Sequence, residues 1–137
     1  IPIEEDIESG EINELRKTMD KVDIESFNMG VKGVGCFPSW DYIRVVWAGV
    51  ESDEIHQLYR QISDHGVKSQ DHDFKPHITL FRVRDIDSKT RKKLKRSMRD
   101  HQSHGFGSSP VNKVKLFRSE MTAEGSRYHE IHSRRLD

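Results

Sequence analysis

The segment Tyr42–Val50, YIRVVWAGV, places the strongest constraint on the fold of this chain, because β-branched and aromatic residues dominate it. Such residues fit the pleated, half-buried surface of a β-strand. A second segment of the same kind, His77–Arg84, follows directly after Pro76. Since a strand satisfies its backbone hydrogen bonds beside other strands, these two segments predict a β-sheet.

Helical segments alternate with these strands. Two of them repeat apolar residues at the spacing of an amphipathic helix, and a third begins at a capping residue. The apolar stripe of the first consists of Ile12, Leu15, Met19 and Val22, and that of the second of Ile55, Leu58 and Ile62. The predicted helices run from Glu8 to Val22, from a cap at Ser52 to Gly66, and from a cap at Ser88 to about His101.

The rest of the chain predicts three more strands, Phe27–Phe37, Val111–Met121 and Arg127–Ser133, and a Gly/Ser-rich loop over His104–Pro110. The segment Ala123–Ser126 is suited to a hairpin turn between the last two strands. The order α-β-β-α-β-α-β-β predicts an α+β fold in which helices pack on a face of a mixed or antiparallel sheet. No repeat or linker interrupts the chain, so we expect residues 1–137 to form a single domain.

Charge and cysteine content limit the chemistry that the chain can use. Its 23 basic and 23 acidic residues cancel, so binding to nucleic acid would have to use local patches. Cys36 is the only cysteine, which excludes an internal disulfide and a zinc site built on cysteines. We find no signal peptide and no run of about 20 apolar residues, so we expect a cytoplasmic protein without a membrane span.

The segment Lys75–Arg82, KPHITLFR, carries the clearest candidate chemistry. Side chains alternate along a strand, so His77 and Thr79 project from one face. Ile78 and Leu80 project from the other face, where we expect them to pack against helices. The polar pair should lie in an open cleft on a central strand. A histidine transfers protons near neutral pH, and a threonine hydroxyl donates a hydrogen bond to a phosphoryl oxygen. Because His-x-Thr is short, the alternative is a strand that exposes both residues by chance.

This motif resembles a known family. KPHITL followed by Arg82 is similar to the second His-x-Thr-x motif of the two-histidine phosphoesterases, the family of 2′-5′ RNA ligases and RNA 2′,3′-cyclic phosphodiesterases. Gly33–Pro38 and Arg44–Val50 together resemble the family's central strand pair, and Leu116–Tyr128 resembles its C-terminal hairpin. The three matches occur in the expected order and span nearly the whole chain.

The resemblance implies a fold of two pseudo-symmetric lobes, each supplying one His-x-Thr-x strand to a shared cleft, and catalysis without a metal or other cofactor. One histidine would act as general base on a water and the other as general acid on the departing ribose oxygen. For this chain it implies catalytic roles for His77 and Thr79 and substrate-binding roles for Arg82, Arg44 and Tyr128. The expected substrate is RNA or a nucleotide with a 2′,3′-cyclic phosphate end, opened to a 2′-phosphate, with 2′-5′ ligation as the reverse direction.

The residue pattern gives different interpretations of the three substrate-binding candidates. Strict alternation places Arg82 on the face of Ile78, so that it would reach a phosphate only through a bulge or around the strand end. Arg44 also fits a strand-surface arginine, and Tyr128 a packing tyrosine, which are the commoner outcomes for these residue types.

The sequence departs from the family in one respect, because His77-x-Thr79 is its only His-x-Thr. In the family, the first motif lies upstream of a helix like Glu8–Val22, and this chain begins at Ile1 without a methionine. We therefore expect that the N-terminal strand-helix unit with the first motif is missing, and that this chain alone is an impaired enzyme. The oligomeric state stays open.

Three further features give weaker hypotheses. The helix after Ser88 is strongly basic and could follow an RNA backbone, although charged helical faces are usually only solvated. Trp40 could stack on a base or pack at the rim of the fold. His65 and His72 lie among aspartates, but without the ligand spacing of a known metal site. The competing functions are a non-catalytic module that binds RNA or nucleotide phosphates and a purely structural domain.

Overall fold

The computed structural model describes residues 2–3, 9–63 and 74–137. In this part of the chain the helices are α1 (Ser9–Asp20), α2 (Asp53–Ser63) and α3 (Ser88–Asp100). The strands are β1 (Pro2–Ile3), β2 (Phe27–Ser39), β3 (Tyr42–Glu51), β4 (His77–Arg82), β5 (Gly105–Val111), β6 (Lys113–Thr122) and β7 (Gly125–Arg135). The chain divides into two compact units. The first comprises Ile1–Phe27, Glu54–His72 and Pro110–Asp137, and the second comprises Asn28–Asp53 and Asp73–Ser109.

The first unit contains a three-stranded sheet in the order β1-β6-β7. Strand β1 runs parallel to β6, and β6 runs antiparallel to β7. Most residues of the predicted stripes of α1 and α2 lie in its core. Met19 of α1 and Leu116 of β6 are fully buried, and Leu15, Leu58 and Ile62 pack with them. Truncating a core side chain of this kind to alanine typically costs about 2–5 kcal/mol, so this cluster holds the unit together.

The predicted hairpin is confirmed, with a shorter turn than expected. Thr122 pairs with Gly125 in the antiparallel ladder, so the turn consists of two residues instead of four. The Thr122 hydroxyl donates to the Gly125 carbonyl at 2.7 Å and accepts from the Glu124 amide at 3.3 Å. Gly125 has a φ of 116°, which a residue with a side chain rarely adopts.

The second unit contains a four-stranded sheet in the order β4-β3-β2-β5. Its core consists of Cys36, Ile43 and Val46 from the sheet and Met98 from α3, with Leu94 packed against them. Burial raises the pKa of the Cys36 thiol, against a smaller lowering by the Lys95 charge, so this cysteine stays protonated and serves as a core side chain. Trp40 also packs against this cluster, which favours the packing interpretation of that residue.

The structure corrects three local predictions. Each unit has its own sheet, whereas the sequence predicted one mixed sheet. The predicted loop His104–Pro110 forms strand β5 from Gly105 onward, and the Gly33 amide donates to the carbonyl of the preceding His104 at 2.8 Å. The cap of α3 is Asp87 and not Ser88, because the Asp87 carboxylate accepts from the Thr90 amide at 2.7 Å. Hydrogen bonding from the Thr90 side chain, and then from the Thr90 amide, lowers the pKa of Asp87.

The remaining helix predictions agree with the structure where it describes them. Ser52 directly precedes α2, whereas the predicted end at Gly66 lies outside the described residues. Among the described residues, no helix has the length and apolar character needed to cross a membrane.

Candidate active site on strand β4

Strand β4 exposes both residues of the His-x-Thr motif to solvent. The predicted central position of this strand was wrong, because among the described residues β4 lies at the end of the four-stranded order. Strand order depends on contacts between distant segments, which local residue patterns do not record. The exposure of His77 and Thr79 agrees with the prediction that they are accessible.

The register between β3 and β4 decides which side chains share a face. Thr79 lies opposite Trp47, and His77 lies opposite Gly49. Residues that lie directly opposite each other on paired strands project from the same face, and so do residues two apart on a regular strand. Trp47 and Gly49 are two apart, so His77 and Thr79 share the Trp47 face, as predicted.

An irregularity at Leu80 brings Arg82 to that face as well. Phe81 pairs with Val46 and Thr79 with Trp47, so Leu80 is skipped in the ladder. Beyond this bulge Arg82 lies opposite Val45, which is two residues from Trp47 on β3. Arg82 therefore lies on the face of Thr79, and the prediction from strict alternation, which placed it on the Ile78 face, was wrong.

The opposite face of β4 differs from its prediction. Ile78 and Leu80 are 39% and 50% exposed, so they do not pack against a helix as expected. Helix α3 packs instead over Cys36 and Val46, on strands β2 and β3. The helix covers the inner strands of the sheet and leaves the apolar side chains of its end strand exposed.

Two aromatic rings surround the imidazole of His77. The centroid of the Phe37 ring lies 5.0 Å from that of His77, in an edge-to-face arrangement, and the Trp47 ring lies 5.9 Å away. A side chain at Gly35 would exclude the Trp47 ring, because a Cβ there would lie 2.3 Å from it. The glycine in β2 therefore allows Trp47 to lie flat on the sheet, beside His77.

A backbone hydrogen bond fixes the protonation pattern of His77. Its Nδ1 atom lies 2.6 Å from the carbonyl oxygen of Lys75. A carbonyl oxygen only accepts, so Nδ1 must carry a proton and donate it to this bond. In the neutral ring Nε2 then holds the lone pair, and in the charged ring Nε2 holds the second proton. Nε2 is therefore the nitrogen available for proton transfer.

We expect nitrogen NMR of the labelled chain to show neutral His77 as the Nδ1–H tautomer. The reason is the short contact to Lys75, which the other tautomer would turn into a repulsion between two acceptors. The spectrum is recorded at a pH where the ring is neutral, with His77→Gln used to assign the signal. Chemical shifts of an Nε2–H tautomer would contradict the proposed proton-transfer nitrogen.

The Thr79 hydroxyl and the Arg82 guanidinium have no hydrogen-bond or ion-pair partner in the part of the chain that the structure describes. Arg82 also lines an open depression of about 380 Å³, together with Arg44, Val83, Arg84 and Asp85. Three arginines and one aspartate line this depression, so its lining residues carry a net positive charge that favours an anion. Arg44, predicted from the family, thus joins Arg82, although its guanidinium also lies 5.1 Å from the centre of the Tyr42 ring. The sequence analysis did not name Arg84 as a candidate, although its place two residues after Arg82 is a signal of shared orientation on a strand.

The other candidates belong to other parts of the chain. Tyr128 belongs to the first unit, on β7, and is 55% exposed, so it is not a packing tyrosine. His65 and His72 of the suggested metal cluster lie outside the described residues. Within the described ranges, no three His, Cys, Asp or Glu side chains are grouped so as to hold a metal ion.

The sequence matches a known family over nearly its whole length. Residues 5–136 match the family described as the AKAP7 2′5′ RNA ligase-like domain. The chain belongs to this family. It thus falls among the two-histidine phosphoesterases, as the motif around His77 predicted.

Curated relatives of this family member carry the name RNA 2′,3′-cyclic phosphodiesterase. The protein from Methanothermobacter thermautotrophicus is 37% identical over 116 residues, which cover 82% of this chain and 62% of that protein. The protein from Methanocaldococcus jannaschii is 31% identical over 129 residues, covering 89% of this chain and 73% of that protein. The chain therefore matches about two thirds of the length of these relatives.

Solved structures show the same fold. A crystal structure from Thermus thermophilus aligns with a TM-score of 0.70 at 22% identity, covering 96% of this chain and 73% of that one. Escherichia coli LigT complexed with 3′-AMP aligns with a TM-score of 0.67 at 18% identity, covering 96% and 70%. The α+β, two-histidine phosphoesterase fold predicted from the sequence is confirmed.

Proposed function

We propose that this chain acts on RNA as a 2′,3′-cyclic phosphodiesterase and opens cyclic phosphate ends to 2′-phosphates. The single observation that carries the proposal is the shared face of β4, where the free Nε2 of His77 lies with Thr79 and Arg82. A proton-transfer group beside a hydroxyl donor and a guanidinium can supply one of the proton transfers and the charge stabilisation that phosphoryl transfer to water uses. The names of the relatives support the same activity.

The reaction needs two proton transfers. Water attacks the phosphorus and loses a proton, while the bond from phosphorus to the 3′-oxygen breaks and that oxygen gains one. Nε2 of His77 supplies one of these transfers, because Nδ1 is held by the Lys75 carbonyl, and in this chain solvent water supplies the other. The Thr79 hydroxyl donates to a non-bridging phosphoryl oxygen, and the Arg82 guanidinium stabilises the charge that develops there. With a ribose 5′-hydroxyl in place of water, the same groups would form a 2′-5′ linkage.

The proposal is tested with cytidine 2′,3′-cyclic phosphate and with an RNA that ends in a cyclic phosphate. We expect phosphorus NMR to show the 2′-monophosphate as the product in both cases, because the 3′-oxygen is the leaving group. A His77→Ala protein prepared in the same way controls for contaminating nucleases. A 3′-monophosphate, or turnover that persists in His77→Ala, would contradict the proposal.

A second candidate is a module that binds such ends without turnover. One observation favours it: the chain holds a single His-x-Thr, whereas the family mechanism uses two histidines. The same assay separates the candidates, since a binding module would retain RNA with a 2′-phosphate end and yield no product from the cyclic form.

A further inference from the structure

Helix α3 concentrates positive charge in a chain that has none overall. Its 13 residues include seven lysines and arginines and a single acidic residue, Asp100, so its formal charge is +6. Because the whole chain has a formal charge of zero, the rest of it is negative by the same amount. The charge of α3 is therefore a local feature and does not follow from a basic composition.

The basic residues lie largely on one side of the helix. Leu94 and the buried Met98 turn inward to the core of the second unit. Residues three, four or seven positions apart share a helical face, and this spacing gathers an outward basic face. The outward basic face consists of Lys89, Lys92, Lys93, Arg96 and Arg99, all of them exposed. No ion pair to these five side chains occurs in the described part of the chain.

This face does not contribute to the stability of the helix. Lys92 and Arg96 lie four residues apart, as do Lys89 and Lys93, and like charges at this spacing destabilise a helix. The first turn of α3 itself contains no acidic residue, and the favourable interaction with the helix dipole comes from the N-cap Asp87. Folding alone would favour mixed charges here, so the stability of the helix does not account for the uniform sign.

The position of α3 identifies which part of an RNA it can reach. The helix packs over Cys36 and Val46, whereas His77 and Thr79 lie on the other face of the same sheet. The arginine depression, formed by Arg44, Arg82 and Arg84, lies where the chain leaves β4 and continues into α3. An RNA whose end lies at His77 could pass around this end of β4 and reach the outward basic face with its later phosphates.

We propose that the outward basic face of α3 binds the phosphate backbone of the RNA substrate beyond its terminal nucleotide. The inference rests on the proposed function, which places the end of the RNA at His77 and its later phosphates toward α3. The contacts are electrostatic and independent of base sequence, so they favour long RNA over mononucleotides.

The test compares the variant Lys92→Gln/Lys93→Gln/Arg96→Gln with a control that loses the same charge elsewhere. The control is Lys17→Gln/Lys21→Gln/Lys113→Gln, in the first unit. Binding is measured by fluorescence anisotropy, with an RNA of roughly 16 nucleotides that ends in a 2′-phosphate. We expect the α3 variant to bind about tenfold more weakly than the control. The negative slope of the logarithm of the binding constant against the logarithm of the salt concentration should become shallower by about 2. The ratio of RNA turnover to mononucleotide turnover should fall in parallel.

Equal affinity and equal salt dependence in the two variants would overturn the inference. A second result would also overturn it: a polyglutamate peptide binds the control but not the α3 variant, while both variants bind RNA equally. This result would assign the outward basic face to an acidic protein. The 2′-phosphate RNA is a product form, so its binding is measured without turnover. A failure of the proposed function would appear as charge-dependent binding without hydrolysis. Because like-charge repulsion is removed, the α3 variant should unfold at the same or a higher temperature, which excludes misfolding as the cause.

Discussion

Replacing His77 by alanine should lower kcat for cyclic phosphate hydrolysis by about 10²–10⁴-fold, with little change in KM. The physical reason is the loss of Nε2, the nitrogen that the Lys75 carbonyl leaves available for proton transfer. Proton transfer contributes in the transition state and not in substrate binding, so the effect should fall on kcat. Initial rates with cytidine 2′,3′-cyclic phosphate measure both parameters.

His104→Ala provides a matched control in the same unit. Its ring is also exposed and lies edge-to-face on Phe106, with the centroids 4.8 Å apart, but it is not on β4. We expect this variant to keep its rate. His77→Gln keeps a polar side chain that cannot act as an acid or base, so it should be as slow as His77→Ala. A His77→Ala enzyme that matches the rate of His104→Ala would rule out His77 as an acid or base.

Arg82→Ala should have the second largest effect, a loss of about 10²–10³-fold in kcat. Behind the bulge at Leu80, the guanidinium lies on the face of Thr79 and has no carboxylate partner among the described residues. It can therefore stabilise the negative charge that grows on the phosphoryl oxygens in the transition state. Single-turnover kinetics at saturating substrate isolate this step from binding and product release.

Arg82→Lys and Arg135→Ala serve as the conservative variant and the negative control. A lysine keeps the charge without the planar pair of donors, so it should restore only part of the rate. Arg135 is an exposed arginine at the end of β7 and should have no effect. If Arg82→Ala raised KM alone and left kcat unchanged, Arg82 would contribute to ground-state binding and not to the chemical step.

Much of the fold could be predicted because its signals are local. The stripe that includes Leu15 and Met19 lies on the buried side of α1, and the β-branched segment Tyr42–Val50 forms all but the last residue of β3. The motif around His77 is local in the same sense. Alternation on a strand was sufficient to place its imidazole beside the Thr79 hydroxyl.

The predictions failed where distant contacts override local preference. Strand β5 contains glycines, serines and a proline, which are typical of loops, and it forms because β2 lies beside it. The end position of β4 depends on pairing with β3, which its own residues do not record. At α3, Asp87 and Ser88 are both good caps, and only the contact from Asp87 to the Thr90 amide decides between them.

The bulge at Leu80 also affects how the protein behaves at high concentration. Ile78, Leu80 and Phe81 are 39–50% exposed on a strand that ends the described sheet, and a flat apolar strand in that position is a template for aggregation. The skipped residue breaks the ladder and increases the local twist, so an incoming strand could match only a short run on either side. Leu80, which turns Arg82 toward Thr79, therefore also protects the chain from edge-to-edge association. The geometry of the site and the resistance to aggregation depend on the same bulge.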